Sequence, residues 1–454
     1  MSKDIMYKSA RFASLFVAGA VIVAVGCHSA PPPPPPVVIP LSGPSAQALQ
    51  WVQSNANAIS IADSLRIGLD QSRLASFVGD ARIVGISELT EGTREFPGLV
   101  RHLLFALADS ANVRGLAIQA PMPEAMEVDR YVRSGTGDLK RILRTLGSPR
   151  WETPEMTSLI NAIRDWNRAH PDKTIDFYGF EIPTAAHAVD VVNSLPDSIA
   201  GASLKAWFRK EYPCVLRDES ARFGNGGRAA DSTFWRACGI VSSAAVDSIV
   251  ALRQRVTPAR SAQLAYIEEM ARLVNHHVTV GLRYLPRQEN NAEHVLYLAD
   301  LLGPNAKLMV WGGDVEMGRL TLEETTIQTG VALGKRLGEK YRTVAFLFGD
   351  GSVRARNGTL SRTGEESGPT SVPIAQPEEG TYEDVLSRAQ LAAYWLDMRQ
   401  LPSDQGGAWL KGPRSARLIT ELYSEARPQL FQTPLEFPQY FDGIVFIKHV
   451  TATR

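Results

Sequence analysis

Two glutamates, Glu88 and Glu91, lie three residues apart in a polar turn, and their type and spacing suit acid–base chemistry. An apolar run from Arg82 to Ile86 leads directly into this turn. Short apolar runs between polar residues are typical of strands buried in a parallel sheet. Because ligands and reacting groups collect at the carboxyl ends of such strands, we expect both carboxylates to lie at the edge of a sheet.

Two further acidic residues, Asp314 and Glu316, follow another apolar run, Lys307 to Trp311, and are expected to converge on the same edge. Like charges held close together do not all stay ionised, so the pKa of at least one carboxylate should be raised. A glutamate with a raised pKa can act as a general base near neutral pH. The charge would otherwise be compensated by an arginine, Arg94 or Arg287, or by a bound cation such as Ca²⁺ or Mg²⁺.

Five blocks of sequence resemble the erythromycin esterase family, and they occur in that family's order. The first, from Val84 to Phe96, is similar to the family's Gly-Glu-Ala-Thr-His-Gly-Thr-Arg-Glu-Phe. The others are Ile118–Ala125 with Asp129–Val132, Phe177–Glu181, Arg287 with Ala292–Val295, and Val310–Glu316. The blocks cover roughly Arg82 to Leu347, and the resemblance implies that family's α/β scaffold.

The resemblance implies a site for hydrolysis of a carboxylic ester, the reaction by which the family opens macrolide lactones. In the family, the first-block histidine is the general base for water, glutamates orient it, and two later histidines support it. In this chain Glu91 stands in place of that base, Gly313 and Glu316 replace the later histidines, and Gln119 replaces a second-block glutamate. The catalytic candidates are therefore Glu88, Glu91, Gln119, Asp314 and Glu316, and the substrate-binding candidates are Arg94, Arg287 and Trp311.

These replacements leave three functions open. In the first, the chain hydrolyses an ester with Glu91 as base and Glu88 fixing its geometry, and activity rises through roughly pH 5 to 7. In the second, it is a catalytically inactive cell-surface protein that keeps the cleft for a small-molecule ligand. In the third, the carboxylates hold a divalent metal ion, and no other cofactor is expected. A serine hydrolase is excluded because no Gly-x-Ser-x-Gly elbow surrounds Ser87 or Thr90.

Strand and helix patterns alternate along the chain from about Ala46. The apolar runs predicted as strands are Arg82–Ile86, Gly115–Gln119, Ile175–Gly179, Lys307–Trp311, Thr343–Phe348 and Gly443–Ile447. The patterns between them predict helices, for example over Leu99–Leu107, Met126–Arg133, Met156–Trp166 and Ala292–Leu302. This alternation predicts an α/β fold with a mostly parallel, doubly wound sheet flanked by helices.

Three regions depart from the alternation. Residues 197–285 contain no convincing strand pattern and are predicted to form a helical insertion or cap. The stretch Asn357–Tyr382 is rich in Gly, Ser, Thr, Pro and Glu, and is predicted to be a long mobile loop. Gly349–Ser352 is predicted to be an ordinary turn that ends a strand, since it lacks the spacing and the lysine of a phosphate-binding loop.

The first residues are predicted to be a targeting signal. A positive segment precedes an apolar run, Phe12–Val25, which is too short to span a bilayer comfortably. The run ends in Ala24–Cys27, which resembles a bacterial lipobox, so residues 1–27 are expected to be a lipoprotein signal peptide with lipidation of Cys27. The alternative is a plain secretory signal that is cleaved nearby.

A proline run, Pro31–Pro36, follows the lipobox and forces a polyproline II conformation, so residues 28–45 are predicted to be a stiff linker. The esterase-like domain is then expected to span residues 46–454. We therefore expect an exported protein that a lipid anchors to a bacterial membrane, on its periplasmic or cell-surface face.

The amino-acid composition limits the kinds of binding partner that we expect. The 48 basic residues balance the 48 acidic ones, and no basic patch is interleaved with aromatic residues, so nucleic acid is not expected as a partner. None of the eight histidines has the spacing of a metal motif. Cys214 and Cys238 are disulfide candidates in an exported protein, and two separate free thiols are the alternative.

Overall fold

The computed structural model describes residues 40–63, 66–68, 70–181, 186–210, 232–283, 287–320, 328–358 and 368–454. The predicted signal peptide with Cys27, most of the linker, and the disulfide candidate Cys214 lie outside these residues. The folded unit comprises Ser42–Arg454, and its first helix begins at Gly43. Within the described ranges, no helix is both long enough and apolar enough to span a bilayer.

A large mixed sheet forms the centre of the fold. The strands are β1 (Asn57–Ala58), β2 (Ser60–Asp63), β3 (Arg66–Gly68), β4 (Ile83–Glu88), β5 (Val113–Pro121), β6 (Asp176–Glu181), β7 (Lys307–Gly313), β8 (Tyr341–Asn357), β9 (Thr370–Ile374), β10 (Ala393–Asp397), β11 (Arg414–Arg417), β12 (Leu422–Tyr423), β13 (Gln432–Leu435) and β14 (Gly443–Val450). The ten-stranded sheet has the order β1-β10-β14-β8-β4-β7-β5-β6, with β9 and β12 also paired to β8. Strands β14 to β6 in this order are parallel, and they are the six strands that the apolar runs predict.

Helices cover the sheet. They are α1 (Gly43–Asn55), α2 (Gln71–Val78), α3 (Glu95–Ser110), α4 (Met122–Ser134), α5 (Leu139–Thr145), α6 (Pro154–Ala169), α7 (Ala186–Ser194), α8 (Ser232–Arg253), α9 (Pro258–Arg283), α10 (Arg287–Leu301), α11 (Thr329–Leu337), α12 (Tyr382–Ser387), α13 (Gln405–Lys411) and α14 (Phe437–Tyr440). Residues 202–210 are also helical. Short 3₁₀ turns lie at Pro149–Trp151, Gly338–Lys340, Met398–Gln400 and Pro428–Phe431.

The two faces of the sheet carry separate cores, as the alternation of side chains along a strand requires. On β4, Val84 and Ile86 pack in one core with α3 and α6, whereas Ile83 packs in the other with α7, α9, α10 and α11. Helix α3 follows β4 on the first face, and α11 precedes β8 on the second face. The predicted doubly wound α/β fold is therefore confirmed.

The region predicted as a helical insertion is mostly helical where it is described, with turns at residues 197–201 and 254–257. Residues 202–210, α8 and α9 form it, and Ile249, Leu264 and Ile267 are fully buried in the core of the second face. It is thus a structural layer of the domain. Cys238 lies on α8, where it is only 4% exposed and is disulfide-bonded.

The turn predicted at Gly349–Ser352 is wrong, and the loop predicted over Asn357–Tyr382 is wrong where it contains β9. Gly349–Ser352 does not end a strand, because β8 continues through it to Asn357, paired with β14 on one side and β9 on the other. Gly351 has φ +130°, and a Cβ there would overlap the carbonyl of Val450, so only glycine allows this close pairing. The second half of the predicted loop Asn357–Tyr382 contains β9, while residues 359–367 lie outside the described part.

Candidate active site

The carboxyl ends of adjacent parallel strands bring the candidate residues together. Glu88 ends β4 and is paired in register with Gly313, which ends β7. On the next strands, Gln119 lies near the end of β5 and Glu181 ends β6. Glu91 lies in the turn after β4, where its backbone N–H donates to the carbonyl of Ile419 at 2.8 Å. The sequence prediction that Glu88, Glu91 and Gln119 lie at one sheet edge agrees with this arrangement.

An arginine that the sequence does not single out, Arg150, joins the two glutamates. Its Nη1 donates to Glu91 Oε1 at 2.5 Å, and its Nη2 donates to Glu88 Oε2 at 3.3 Å. All three side chains are largely buried, with exposures of 13% for Arg150, 11% for Glu91 and 5% for Glu88. Charge-assisted bonds in such an environment are strong, because water competes weakly with them. Arg150 is therefore the group that compensates the carboxylate pair in this structure.

Aromatic packing fixes Arg150 in place. The residue lies on the 3₁₀ turn Pro149–Trp151, between α5 and α6. Its guanidinium lies 4.2 Å from the ring centre of Trp151, a cation–π geometry. Trp151 packs edge-on against Trp311 of β7, with 5.2 Å between ring centres, and its indole N–H donates to the carbonyl of Gln119 at 3.2 Å. Trp311 is 1% exposed and supports the site by packing against Trp151.

The absence of a side chain at position 313 makes room for the ion pair. A Cβ built on Gly313 would overlap Glu91 Oε1 and would lie 2.5 Å from Arg150 Nη1. The Gly313 backbone N–H donates to Gln119 Oε1 at 2.8 Å, and Gln119 Nε2 donates to Glu181 Oε1 at 3.1 Å. Hydrogen bonds therefore connect the ends of β7, β5 and β6 beside the ion pair.

Burial dominates the electrostatics of the pair. It raises the pKa of Glu88 to about 8, against the opposing effect of Arg150, and the charge of Glu91 raises it further. Burial likewise raises the pKa of Glu91, again opposed by Arg150, with Glu421, Asp314 and Glu181 adding to the rise. Near pH 7 we therefore expect the carboxyl group of Glu88 to hold a proton.

Asp314 belongs to the surroundings of Glu91, as the sequence predicts. It has a left-handed backbone at φ +50°, which is uncommon for a residue with a side chain. Burial raises the pKa of its carboxyl group. Asp314 Oδ1 is buried without a hydrogen-bond partner among the described residues.

Glu316 has a different role from the predicted one. Its Oε1 accepts hydrogen bonds from the backbone N–H and the hydroxyl of Thr329, the first residue of α11. A carboxylate at the amino end of a helix is stabilised by the exposed N–H groups and by the helix dipole. Glu316 therefore caps α11. The prediction that four carboxylates converge at this edge is wrong for this chain, because Glu316 is directed to α11.

Of the two arginines predicted near the carboxylates, Arg94 has a different partner. Arg94 Nε lies 3.5 Å from Glu155 Oε1, so this side chain pairs with α6. Arg287 begins α10, and its side chain is not among the described parts of the chain. The sequence patterns did not identify Arg150. This residue follows Ser148 and Pro149 in a short turn, which has neither strand nor helix periodicity. The usable signal was that two buried glutamates require a cation nearby.

A cleft opens over Glu91. Its volume is about 440 Å³ when the open space at its mouth is included. Its lining residues are Glu91, Gly92, Ser148, Pro149, Arg150, Arg354, Arg356, Pro369, Thr420, Glu421 and Thr453. Glu88 is not among them, so Glu91 is the carboxylate of the pair that reaches the cleft. Within the described residues, no group of three or more His, Cys, Asp or Glu side chains is arranged to hold a metal ion.

Comparison with known sequences identifies relatives over most of this fold. A family model described as erythromycin esterase matches residues 111–450, well over half of the chain. The match begins after the turn that carries Glu88 and Glu91. The Bacillus subtilis (strain 168) protein named "Putative hydrolase YbfO" is 23% identical over 172 residues, which are 37% of this chain and 35% of that protein. The similarity thus spans about a third of that relative's length.

Solved structures share the fold. A Bacillus cereus protein and a protein described as a succinoglycan biosynthesis protein each superpose with a TM-score of 0.73 and 17% identity over 91% of this chain, covering 99% and 100% of their own. A mutant of the erythromycin esterase EreC in its open conformation superposes with a TM-score of 0.59 and 14% identity, covering 87% of this chain and 98% of its own. At these identities the likeness concerns the fold alone.

Proposed function

This chain belongs to the erythromycin esterase family, and we propose that it hydrolyses a carboxylic ester by activating water with Glu91. The observation that carries the proposal is the position of Glu91, which lines the cleft and is also bonded to a buried arginine. A general base must reach both its substrate and a group that holds it in place. Of the carboxylates at the sheet edge, Glu91 meets both requirements most directly.

The proposed reaction uses groups already in contact. Glu91 removes a proton from a water molecule, and the resulting hydroxide attacks the ester carbonyl carbon. The carbon–oxygen bond to the alcohol then breaks, and the proton held by Glu91 passes to the departing alkoxide. Acid and alcohol are the products, and Glu91 returns to its ionised form.

Arg150 and Glu88 support this reaction in different ways. Arg150 can stabilise the negative charge that develops on the carbonyl oxygen, since its guanidinium lies in the cleft beside Glu91. Glu88, with a pKa of about 8, keeps its proton near pH 7. The neutral Glu88 therefore does not compete with Glu91 for the ionic interaction with Arg150. A second ionised carboxylate would compete for Arg150 and weaken both effects.

The test compares the purified protein with its Glu91→Gln variant on a panel of simple esters and macrolides across pH 5 to 9. The rising limb of kcat/KM should lie above pH 4.5, the ordinary pKa of a glutamate, because burial raises the pKa of Glu91. Glu425→Gln, at an exposed glutamate outside the cleft, is the matched control. Hydrolysis that is lost with Glu91→Gln and kept with Glu425→Gln supports the proposal, whereas equal background rates in all three proteins contradict it.

A binding protein without catalysis is the second candidate, and one contact favours it. Arg150 Nη1 donates directly to one carboxylate oxygen of the proposed base, Glu91 Oε1, at 2.5 Å. An ion pair this close lowers the basicity of the carboxylate. The same experiment separates the two functions, since a binding protein gives no turnover at any pH.

We also propose that the protein acts outside the cytoplasm on a lipid anchor. The support is the sequence order of a short apolar signal, the Cys27 lipobox and the proline linker. Expression of the full chain with a radiolabelled fatty acid tests this proposal. Label that is lost in a Cys27→Ser variant supports it, and an unlabelled protein in the soluble cell fraction contradicts it.

A further inference from the structure

We propose that an apolar cavity in the core of the first face of the sheet is a second binding site. Its ligand is a small neutral molecule that has an apolar body and one hydrogen-bond acceptor, as a ketone has. No residue that lines this cavity also lines the cleft over Glu91. The proposal therefore does not depend on ester hydrolysis.

The cavity is bounded by α2, α3 and the strands β4, β7, β8, β10 and β14. Its volume is about 420 Å³ when the open space at its mouth is included. Among the residues that the structure describes, its lining contains aliphatic and aromatic side chains, one methionine and one glycine, and no charged residue. Water finds few partners in such a cavity, and unfilled space loses dispersion contacts, so the cavity favours an apolar ligand.

Helix α2 covers one side of the cavity. Leu74, Phe77 and Val78 are spaced i, i+3 and i+4 on this helix, so they share one face, and all three line the cavity. The helix has only eight residues, and a helix this short is stabilised by burial of its apolar face rather than by its own propensity. Local opening of α2 would therefore admit a ligand without unfolding the sheet.

Trp395 supplies the polar group of the lining. Its side chain lines the cavity and is 6% exposed, and its indole Nε1 is buried without a hydrogen-bond partner among the described residues. Its ring packs edge-on against Phe77, with 5.7 Å between the ring centres. A buried N–H without an acceptor is destabilising, and a hydrogen bond removes this cost. A ligand oxygen that accepts from Nε1 would therefore bind better than an apolar group of the same shape.

The charges beside the cavity favour a neutral ligand over an acid. Arg399 lies over the ring of Phe77, with 4.8 Å between its Cζ and the ring centre. Its guanidinium already donates to both carboxylate oxygens of Asp397, at 2.8 Å and 2.6 Å, so its charge is compensated. A carboxylate ligand would lose its hydration without gaining this cation as a partner. The ligand class is therefore a ketone rather than the fatty acid of the same length.

The first experiment locates the site with xenon, in crystals of the purified protein held under xenon pressure. Xenon is apolar and needs no donor, so it should occupy the cavity in the wild-type protein and in Trp395→Phe. Leu103→Phe enlarges a lining side chain and should exclude it. Leu252→Phe, at an exposed position of α8, is the matched control and should leave xenon in place. An unoccupied cavity in the wild-type protein, or equal occupancy in Leu103→Phe, overturns the proposal.

The second experiment measures the ligand class, by calorimetry at pH 7 with 2-heptanone and heptanoate, neither of which an esterase can hydrolyse. The ketone should bind at one site per chain and at least about tenfold more tightly than the acid. Leu103→Phe should abolish this binding. Trp395→Phe should weaken it by about tenfold while xenon still binds, which separates loss of the hydrogen bond from misfolding. Ketone binding that survives Leu103→Phe, that is unchanged in Trp395→Phe, or that heptanoate equals overturns the proposal.

Discussion

At the residue scale, Gly313 and Glu91 are coupled through space. The carboxylate of Glu91 and the guanidinium of Arg150 occupy the volume into which a side chain at position 313 would extend. The sequence resemblance places a histidine at each of these two positions in the family. A side chain at 313 and the Arg150–Glu91 ion pair would therefore overlap in the arrangement that this structure has.

This coupling predicts the effect of Gly313→Ala. The new methyl group should displace Glu91 and Arg150, lower the free energy of unfolding by about 1–3 kcal/mol and abolish ester hydrolysis. Gly312→Ala is the matched control, because a Cβ at Gly312 meets its nearest atom, Glu316 Cβ, at 3.2 Å and requires only a small shift. Chemical denaturation and kcat/KM of both variants check the prediction, and it is wrong if the two substitutions have equal effects.

The buried carboxyl group of Glu88 makes stability depend on pH. Its pKa is about 8 in the folded protein and near 4.5 when unfolded, so the native state binds more protons between these values. The free energy of unfolding should therefore fall, relative to that of Glu88→Gln, as the pH rises from about 4.5 to 8, by a few kcal/mol in all. Denaturant titrations at several pH values measure the difference. Parallel curves for the two proteins would show that Glu88 ionises normally.

At the element scale, the 3₁₀ turn Pro149–Trp151 supplies the charge that β4 and its turn lack. Arg150→Met keeps an unbranched apolar stem in place of the arginine and leaves two buried carboxylates without a cation. Their pKa values should rise further, so stability should drop more at pH 8 than at pH 5, by about 3–5 kcal/mol at the higher pH. Thermal denaturation at both pH values tests this, and adding Glu91→Gln to Arg150→Met should recover part of the loss. An equal drop at pH 5 and pH 8 would mean that Arg150 acts through packing alone.

The junction between the Glu91 turn and β8 depends on Gly92. This glycine has φ +82°, and a Cβ on it would overlap the carbonyl oxygen of Arg354. Gly380 has the same φ and open space around its Cβ position. Gly92→Ala and Gly380→Ala should therefore both lose about 1–2 kcal/mol of stability to backbone strain. Only Gly92→Ala adds a steric clash, with the carbonyl oxygen of Arg354. We expect Gly92→Ala to be clearly less stable and to lose hydrolysis, as denaturation and kinetics would measure; equal losses would mean that the contact with β8 yields easily.

Sequence patterns predict elements better than they predict their ends. The parallel strands were found because each is an apolar run that is buried on both faces, which marks it without reference to neighbours. The extension of β8 past Gly349 was missed, since its bonds to β9 and β14 are long-range and glycines normally signal a turn. Strand β9 was also missed. Most of its residues are exposed, so its composition is that of a loop.

The site was predictable only in part, and the missing part has a physical cause. Glu88, Glu91 and Gln119 follow apolar runs, so the strand pattern placed them at one edge. Arg150 reaches that edge from a turn, and nothing local to its sequence encodes a partner about 60 residues away. Glu316 lies two residues beyond Asp314, but the direction of its side chain depends on where α11 begins, which the pattern did not fix.

At the scale of the whole molecule, the cleft is assembled from segments far apart in the chain. The Glu91 turn, the Arg150 turn, β8, the segment around Glu421 and the segment after β14 all contribute to it. Thr451 is bonded to Glu95 across 356 positions, and Thr453 to Glu155 across 298. Site geometry therefore depends on completion of the fold, including the last strand of the sheet.

This dependence predicts a local effect of Thr453→Val. The hydroxyl of Thr453 donates to Glu155 Oε2 at 2.7 Å, and its backbone N–H donates to the carbonyl of Gly92 at 3.0 Å. Valine keeps the shape and the backbone bond but loses the hydroxyl, so stability should fall by about 1 kcal/mol. The weakened segment should open more often without global unfolding.

Hydrogen–deuterium exchange of intact and variant protein tests the prediction. Peptides that contain residues 90–95 and 451–454 should exchange faster in Thr453→Val, whereas the amides of β5 should be unchanged. Thr433→Val on β13 is the matched control and should not alter exchange in the Glu91 turn. Acceleration across the whole sheet would mean that Thr453 supports global stability, and unchanged exchange at residues 90–95 would mean that the turn is held by its own backbone bonds to Ile419 and Arg354.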